Sequence, residues 1–580
     1  MGRPVVDQPM GQPKRVINIA SHIKTMADLS PERDAVIVPT GRDGGGRVTY
    51  ARMSFARLEE DSNRIASGLE ALGLVKGTKT IVMVRPSLDF ISLTFALFKV
   101  GAVPVMVDPG MGLRRMLHCY RSTDPEAFIG IPPAHVVRLL FRRTFRGIRH
   151  KVTVGVRWFW GGTTLARLRA IGDPRRAVTP TGADECAAIL FTTGSTGPPK
   201  GVVYTHGIFD AQVRYLKDCF GIRMGEIDVA TFPLFALFGP ALGMTVFIPD
   251  MDPIRPASVH PPNIIEPIQD LGATTMFGSP ALLKRVARYG TRKGVHCPSL
   301  RRVISAGAPV PIDVMRTLHA MLPADAAIWT PYGATEALPV CATSSTELLG
   351  GECARDHGAR GICVGKPMPG HEVHIIRISD EGIPHWSEDL RVEDGEVGEI
   401  VVKGSIVTRA YHNLPDETAR AKIRDGAALF HRMGDLGWKD EKGRIWFCGR
   451  KAHRVVTSSG TLFTVPCEAV FNRHEAVFRS ALVGVGGKGA QIPVILIELE
   501  ADATHRAGDT LAQEILALGS AFAHTEPIER LLFHPGFPVD IRHNAKISRE
   551  VLAAWAGRRL KKAYRKHPPG EGRDDDLREQ

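Results

Sequence analysis

Two kinds of hydrophobic spacing alternate along the first 330 or so residues of the chain. Short apolar runs such as TIVMVR, VPVMVD and TTMFG predict buried strands, whereas FARLEEDSNRIASGLEAL has the apolar spacing of a helix. Strands that alternate with helices in this way are typical of parallel sheets with crossover helices. The spacing therefore predicts an α/β fold for this part of the chain.

The spacing changes beyond about residue 370. HEVHIIRI (371–378) and GEVGEIVVKG (395–404) predict antiparallel strands joined by polar turns, and PVILIELE (493–500) predicts another strand. ISREVLAAWAGRRLKKAYRK (547–566) predicts a terminal helix, and the polar residues that follow it predict a disordered tail. We expect a smaller β region and a separate C-terminal part.

One apolar run, FPLFALFGPALGMTVFIP at 232–249, approaches the length of a membrane span. Three prolines and two glycines interrupt it, and cationic residues do not bracket it. We therefore expect a buried strand and loop that line an apolar pocket, and no transmembrane helix.

Composition narrows the class of protein. The chain has 580 residues, of which 44% are hydrophobic and 23% charged, as in soluble proteins of two or more domains. Its nine cysteines are an odd number, are scattered, and form no CxxC pair. This usage predicts reduced thiols in the cytoplasm, and neither a disulfide framework nor a zinc site.

The net charge of +13 comes from two short segments. Residues 138–151 and 558–566 each contain six lysines or arginines, so the rest of the chain has a balance of only +1. This distribution argues against a general nucleic-acid-binding surface. One helical face of the first segment and the residue before it is apolar, which predicts an amphipathic surface helix for anionic lipid, an acidic partner or a fatty substrate. The residues of this face are Val137, Phe141, Phe145 and Ile148. A helix solvated on its own domain is the alternative, and Gly147 weakens the helix prediction.

A glycine-rich loop, FTTGSTGPPKGVV at 191–203, carries the first candidate chemistry. Its glycines permit positive φ, so successive N–H groups can form an anion nest, with hydroxyl donors and one lysine around it. CAAILF before it predicts a strand, and the residues after it have a helical spacing, so we predict a phosphate-binding loop between strand and helix. A flexible surface turn is the alternative. The residues concerned are Thr192, Thr193, Gly194, Ser195, Thr196, Gly197 and Lys200.

Four later stretches follow in a fixed order. YGATE (332–336) supplies a ring, a hydroxyl and a carboxylate, and MGDLG (433–437) predicts Asp435 in a tight turn. GRK (449–451) and PVDIRHNAKISR (538–549) add Arg450 and Lys546. Together with the loop, this ordered set resembles the adenylate-forming superfamily of acyl-CoA synthetases, luciferases and peptide-synthetase adenylation domains. The resemblance extends from about residue 25 to 555.

The resemblance implies a domain organisation. Residues 1–449 would form an N-terminal adenylation domain of two α/β subdomains and a small β-barrel subdomain, which binds ATP and the acyl substrate. Residues 450–557 would form a smaller, mobile α+β lid, and residues 558–580 a basic and then acidic tail. Such lids rotate between the two half-reactions.

The resemblance also implies roles for individual residues in the attack of a carboxylate on the α-phosphorus of ATP. The loop would hold the β- and γ-phosphates, and Glu336 would bind Mg²⁺. Thr335 and Lys546 would contact the α-phosphate as charge builds. Asp435 would accept hydrogen bonds from the ribose hydroxyls, and Arg450 would hold ribose or phosphate. The implied adenine pocket consists of Tyr332, Gly333, Gly307, Ala308 and Pro309.

Departures from the acyl-CoA synthetase pattern narrow the resemblance. Ala236 replaces a usual histidine, Ala452 replaces a hinge acid or lysine, and Val456 stands where the pantetheine tunnel has a lysine. The chain resembles the olefin β-lactone synthetases of bacterial hydrocarbon synthesis in these departures, in the stretch FPLFALFGPALG and in the basic segment 138–151. That branch implies activation of a long-chain 2-alkyl-3-hydroxy acid as acyl-AMP, followed by attack of its own 3-hydroxyl on the carbonyl.

Two alternatives stay open at this point. The chain would otherwise be a long-chain fatty acyl-CoA or acyl-AMP ligase, or a non-catalytic adenylate-binding scaffold. The candidate bases for lactone closure are His206 and His453, and His206 also suits a structural role. We expect a complex with other enzymes of the pathway, at most peripheral membrane contact, and no nucleic-acid partner.

Overall fold

The structure is a computed structural model that describes residues 17–191, 197–350, 353, 358–539 and 547–566, the side chains of 562–566 excepted. The predicted tail after residue 566 lies outside the described residues. The strands in chain order are β1 (Asp34–Arg42), β2 (Val48–Ser54), β3 (Lys79–Met83), β4 (Val103–Met106), β5 (Ala127–Gly130), β6 (His150–Thr153), β7 (Thr163–Thr164), β8 (Cys186–Phe191), β9 (Gly201–Thr205), β10 (Ile227–Ala230), β11 (Thr245–Phe247), β12 (Thr275–Phe277), β13 (Arg302–Ile304), β14 (Ala327–Ala334), β15 (Ala337–Ser344), β16 (Ile362–Pro367), β17 (Glu372–Ile376), β18 (Gly398–Lys403), β19 (Lys422–Asp425), β20 (Ala428–Lys439), β21 (Ile445–Arg450), β22 (Val455–Val456), β23 (Thr461–Leu462), β24 (Val477–Val485), β25 (Ile492–Leu499) and β26 (Arg530–Phe533).

The helices lie mainly between these strands. In chain order they are α1 (Ser21–Leu29), α2 (Phe55–Ala71), α3 (Leu88–Val100), α4 (Leu113–Ser122), α5 (Pro132–Leu140), α6 (Leu165–Ile171), α7 (His206–Phe220), α8 (Pro233–Ala236), α9 (Phe238–Leu242), α10 (Pro262–Leu271), α11 (Pro280–Lys293), α12 (Ile312–His319), α13 (Ser345–Leu349), α14 (Pro415–Ala421), α15 (Thr464–Phe471), α16 (Asp509–Ser520) and α17 (Arg549–Lys566).

Two large sheets form the body of the chain up to β21. The first has the order β7-β6-β5-β3-β4-β8-β9 and is parallel except for the last pair. The second runs β2-β1-β11-β10-β12-β13-β14-β15, and its strands from β1 to β14 are parallel. Helices cross between the parallel strands, as the alternating spacing predicts. The α/β fold class is confirmed.

The antiparallel strands β16 to β21 continue the second sheet, because β15 pairs with β16. HEVHIIRI and GEVGEIVVKG form the antiparallel pair β17 and β18, as predicted. The residues after β21 build a three-stranded sheet, β24-β25-β26, with its own buried cluster around Phe471, Leu482 and Ile495. Residues 547–566 contain the predicted terminal helix, α17.

The glycine-rich loop has a different setting from the one predicted. CAAILF is the strand β8, but the loop leads to the strand β9, which pairs antiparallel with β8, and α7 begins only at His206. Thr205 caps that helix by accepting a hydrogen bond from the Ile208 amide. The strand–loop–helix prediction is therefore wrong, because Gly201–Thr205 complete the edge of the first sheet.

The basic segment 138–151 is not the predicted amphipathic helix. Helix α5 ends at Leu140, turns follow, and His150 and Lys151 belong to β6, which pairs parallel with β5. Phe145 is buried, and its ring lies 5.6 Å from that of Phe128 on β5 of the first sheet. A continuous helix would prevent both this burial and the strand pairing.

The apolar run 232–249 is buried, but it forms two short helices, α8 and α9, before the strand β11. Among the described residues, no helix combines the length and apolarity needed to cross a membrane.

Candidate active site

A cavity of about 2260 Å³ lies at the carboxyl ends of the parallel strands. Met106, Phe191, Ala230, Phe277 and Ile304, which end or nearly end β4, β8, β10, β12 and β13, all line it. Ligands of open α/β sheets bind at this edge, where neighbouring crossovers leave a crevice. Residues of the antiparallel strands and of the C-terminal part complete its wall.

Most of the described residues predicted to bind nucleotide line this cavity. Asp435 is buried and Tyr332 is partly buried, and the wall of the cavity includes neither of them nor Gly197. Thr192, Thr193, Gly194, Ser195, Thr196 and Lys546 lie outside the described residues. The predicted residues that line the cavity are Lys200, Gly307, Ala308, Pro309, Gly333, Thr335, Glu336 and Arg450.

Thr335 and Glu336 form the turn between β14 and β15. A Cβ at Gly333 would lie 2.5 Å from the Ala337 carbonyl oxygen, so the hairpin requires glycine there. The turn presents the Glu336 carboxylate and the Thr335 hydroxyl to the same cavity.

Three residues that the sequence analysis missed hold Glu336 in place. The Tyr411 hydroxyl donates to Glu336 Oε1 over 2.8 Å, and the Glu336 carbonyl accepts from the amide and hydroxyl of Thr408. The buried Lys422 amine in turn donates to the Thr408 carbonyl. Burial lowers the pKa of Lys422 to about 7, although the negative charge of Glu336 opposes this. These supports lie 72 to 86 residues beyond Glu336, and no local motif marks them.

Tyr411 also connects the loop lysine to the carboxylate. Lys200 Nζ lies 5.1 Å from the centre of the Tyr411 ring and 2.5 Å from Glu417 Oε2. The ion pair with Lys200 lowers the pKa of Glu417. Tyr411 thus contacts the Lys200 cation through its ring and the Glu336 carboxylate through its hydroxyl, next to the cavity.

Asp435 lies in the strand β20 and not in the predicted tight turn. The pairing of β18 and β20 is interrupted at Met433–Asp435, and Gly434 has a φ of 66°, so the strand bulges there. The Tyr332 hydroxyl donates to Asp435 Oδ2 over 2.8 Å, and Arg450 Nη1 lies 2.9 Å from Oδ1. Burial raises the pKa of Asp435 in spite of both partners. Tyr332 is thus tied to Asp435 through its hydroxyl, behind the Gly333 and Arg450 that line the cavity.

Aromatic side chains build the apolar part of the cavity wall. The rings of Phe235 and Phe277 stack with centres 4.0 Å apart, and Phe232 packs on Phe235 at 5.6 Å. The run 232–249 therefore lines an apolar pocket as predicted, although through short helices. Ala236, where acyl-CoA synthetases usually have histidine, is fully buried beneath this wall.

The segment after Arg450 lines the cavity from the other side. Lys451 Nζ lies 2.8 Å from Glu399 Oε1, and Arg432 binds the same fully buried carboxylate over 2.6 Å. Ala452 is exposed, and His453 Nε2 lies 3.2 Å from Glu550 Oε1. Burial, followed by the charge of Arg549, lowers the pKa of His453.

His206 does not reach the cavity wall. It is fully buried, its Nδ1 accepts from the Ile19 amide over 3.3 Å, and its ring lies 6.3 Å from Phe98. Burial lowers its pKa to about 4. This placement favours the structural role, and His453 stays the candidate base.

Comparison with known proteins decides the family. The model of the AMP-binding enzyme family matches residues 24–412 of this chain. The chain belongs to the AMP-binding enzyme family. It is therefore an AMP-forming ligase by family, and the resemblance drawn from the ordered motifs is confirmed.

Individual relatives place this member of the AMP-binding family more closely. The chain is 47% identical over 553 residues to the olefin beta-lactone synthetase of Xanthomonas campestris pv. campestris, covering 94% of this chain and 98% of that protein. It is 48% identical over 558 residues to the olefin beta-lactone synthetase of Stenotrophomonas maltophilia, covering 94% and 99%. The solved structure of ATP-bound MatB from Rhodopseudomonas palustris has a TM-score of 0.74 at 20% identity, covering 93% of this chain and 99% of MatB. The comparison with MatB shows only that the fold is shared.

The Glu336 carboxylate has the chemistry to bind a magnesium ion. Tyr411 engages one oxygen of the carboxylate, and Mg²⁺ is commonly bound by one or two carboxylates together with substrate phosphates. Among the described residues, no cluster of three His, Cys, Asp or Glu side chains forms a closed metal site. The single carboxylate therefore suits an ion that phosphates help to bind.

Proposed function

We propose that this chain is an ATP-dependent olefin β-lactone synthetase. A long-chain 2-alkyl-3-hydroxy acid attacks the α-phosphorus of ATP through its carboxylate, which gives acyl-AMP and pyrophosphate. The 3-hydroxyl of the same substrate then attacks the acyl carbonyl, so that a four-membered lactone closes and AMP leaves. The lactone would feed long-chain olefin synthesis.

The observation that carries this proposal is one cavity with two kinds of wall. Thr335, Glu336 and Arg450 give it a polar side, and Phe232 and Phe235 give it an apolar side. An acyl adenylate needs both sides, because its phosphate is charged and its alkyl chains are not. The identity of 47% and 48% to the two olefin beta-lactone synthetases supports the same assignment.

The residues divide into roles that follow from these positions. We propose that the glycine-rich loop and Lys200 bind the β- and γ-phosphates, and that Glu336 binds Mg²⁺, which neutralises phosphate charge when bound. Gly307, Ala308, Pro309 and Gly333 form the base pocket, and Asp435 with Arg450 receives the ribose. Thr335 and Lys546 stabilise charge on the α-phosphate.

Ring closure needs the hydroxyl near the carbonyl and water kept away from the mixed anhydride. The phenylalanine wall supplies the exclusion of water, and an oriented internal nucleophile can reach an effective molarity on the order of 10⁵ M. His453 lines the cavity, and its lowered pKa favours the neutral ring that can accept a proton. We assign it the role of candidate base.

The decisive experiment supplies ATP, Mg²⁺ and a 2-alkyl-3-hydroxy acid without coenzyme A. We expect AMP and lactone in equal amounts, detected by nucleotide chromatography and proton NMR. The matched 2-alkyl acid without the hydroxyl should support pyrophosphate exchange but give no lactone. If lactone is absent and an added thiol yields a thioester, the chain is an acyl-CoA ligase.

The scaffold alternative has its own test. Wild-type protein and the Lys546→Ala variant would then release pyrophosphate at the same background rate. We expect the variant to lose at least about 100-fold in adenylation rate, since transition-state charge stabilisation of this kind is worth about 3 kcal/mol or more.

Compartment and partners belong to the same proposal. All nine cysteines are free thiols, which supports a cytoplasmic location. Because the product is reactive and apolar, we propose association with the enzymes that supply the hydroxy acid and consume the lactone. Co-purification from cells that express the pathway tests this association.

A further inference from the structure

One region of the surface combines exposed aromatic side chains with arginines. It lies on α5, the turns after it, and the loop between β6 and β7. We call it the aromatic–arginine patch. Its apolar members are Val136, Leu140, Phe141, Val156, Trp158 and Phe159, and its basic members are Arg142, Arg143, Arg146 and Arg157, all exposed.

The apolar exposure is concentrated here. Six of the fifteen exposed large hydrophobic side chains found in the described residues fall within 136–159. Phe159 is 81% exposed, Leu140 73% and Trp158 58%. Clustered exposure of this kind marks an interaction surface, whereas single exposed apolar residues do not.

Buried contacts hold the two parts of the patch together. The Trp160 ring stacks on His135 of α5, with ring centres 5.2 Å apart and planes 2° apart. Trp158 and Phe159 pack on Trp160 with ring centres at 5.2 Å and 5.7 Å. Trp160 also donates to the Thr153 hydroxyl over 2.9 Å. The exposed rings therefore extend from a fixed base on the first sheet.

The charge around these rings is uncompensated. Residues 127–172 contain nine lysines or arginines and no aspartate or glutamate. None of the four patch arginines forms an ion pair with a carboxylate in the described part of the chain. Because this stretch contains no carboxylate that could neutralise the four arginines, it favours an anionic ligand that comes from outside.

We propose that the aromatic–arginine patch docks on the surface of an anionic lipid bilayer. Trp and Phe side chains insert at the level of the headgroups, and arginines bind the lipid phosphates around them. Exposed Leu140 and Val156 distinguish this surface from a nucleic-acid site, since they gain nothing from a phosphate backbone. The shape is a helix end and a loop tip, which suits shallow insertion.

The patch adjoins the substrate cavity through α5. Pro133, Ala134 and Val137 line the cavity, while Val136 and Leu140 on the same helix are exposed. Docking would therefore place the bilayer one helix away from the cavity. If the chain has the proposed function, its long-chain acid substrate is dissolved in the bilayer. We infer that this acid enters the cavity beside α5.

Vesicle sedimentation tests the docking without ATP or acid. Vesicles are made of phosphatidylglycerol with phosphatidylcholine, or of phosphatidylcholine alone. We expect wild-type protein to sediment with the anionic vesicles only, and less as salt rises. W158S/F159S should lower the partition constant by at least about tenfold, and R142Q/R143Q by roughly 25-fold at about fivefold per arginine.

Matched controls come from other exposed positions. L29S/V75S removes two apolar side chains, each 65% exposed, and R292Q/K293Q removes two exposed cations. Both should sediment as wild type does. All variants should melt at the wild-type temperature and exchange pyrophosphate at the wild-type rate with a short, water-soluble acid.

Three results would overturn the proposal. They are no vesicle binding by wild-type protein, equal loss in patch and control variants, or patch variants that sediment normally. Loss of a protein partner by W158S/F159S with vesicle binding absent would assign the patch to that partner instead. Vesicle binding without lactone formation would refute the proposed function alone, and lactone formation without vesicle binding would refute the docking alone.

Discussion

Asp228 places a carboxyl group in the wall of the cavity with little to compensate its charge. It is 7% exposed, it lines the cavity, and its Oδ1 has no hydrogen-bond partner in the described residues. Burial raises its pKa from 3.8 to about 7, the charge of Arg302 opposes the rise, and Glu226 adds to it. Arg302 is itself paired with Glu226 at 2.5 Å, so it stabilises the charged form of Asp228 less than an unpaired arginine would.

This pKa fixes the sign of a stability change with pH. Below pH 3.8 the carboxyl is protonated in the folded and unfolded chains alike, so its stability contribution is fully present. As pH rises towards the folded-state pKa of about 7, only the unfolded chain ionises, and the contribution is lost. The rise corresponds to about 4 kcal/mol in all, of which about 3 kcal/mol falls between pH 5 and pH 8.

The variant Asp228→Asn removes the titration and keeps the shape. We expect its free energy of unfolding to gain about 3 kcal/mol relative to wild type between pH 5 and pH 8. Urea unfolding followed by tryptophan fluorescence at several pH values measures this difference. The control Asp184→Asn, at a position 85% exposed, should show none. A pH-independent difference between Asp228→Asn and wild type would refute the reasoning.

Three further predictions test the site and the fold. Tyr411→Phe should lower the rate of pyrophosphate exchange by about 10- to 100-fold, since a hydrogen bond to a carboxylate is worth about 1.5–3 kcal/mol; Tyr50→Phe, which loses a 3.0 Å bond to Asp270 away from the cavity, should not. Phe235→Ala should raise the KM for a long-chain acid by roughly tenfold or more and leave a short acid unchanged, measured by pyrophosphate release. Arg549→Met should leave the buried Glu468 without its 2.7 Å partner and lower the free energy of unfolding by about 3–5 kcal/mol, so limited proteolysis should cut residues 450–557 first. The control Arg506→Met, which removes an exposed ion pair, should not change the order of cleavage.

The sequence predicted elements whose pattern is local. CAAILF coincides with β8, and FARLEEDSNRIASGLEAL contains α2, because one face of each is buried continuously. The errors came from contacts distant in sequence. Residues 138–151 have a helical spacing of apolar residues, but Phe145 packs on Phe128 and Lys151 pairs with β5. No property of the segment itself reveals either contact.

The site shows the same division. Ordered motifs located Thr335, Glu336 and Arg450, which meet at one cavity although 115 residues separate the first from the last. The sequence did not reveal that Tyr411 and Thr408 hold Glu336, or that Arg432 and Lys451 share the buried Glu399. These supporting residues are single positions that strand pairing brings together, so no regular spacing in the sequence identifies them.

The contacts across residue 452 bear on whether the C-terminal part can rotate as the family resemblance implies. Arg454 and Lys488 both bind Asp380, and these ion pairs lower its pKa to about 2. Yet the Asp380 side chain is 48% exposed, and exposed ion pairs contribute only about 0.2–1 kcal/mol each. Within the C-terminal part, by contrast, the Glu468–Arg549 pair is buried. The two Asp380 ion pairs would therefore oppose the rotation that the resemblance implies only weakly, and the buried Glu468–Arg549 pair would move with the C-terminal part.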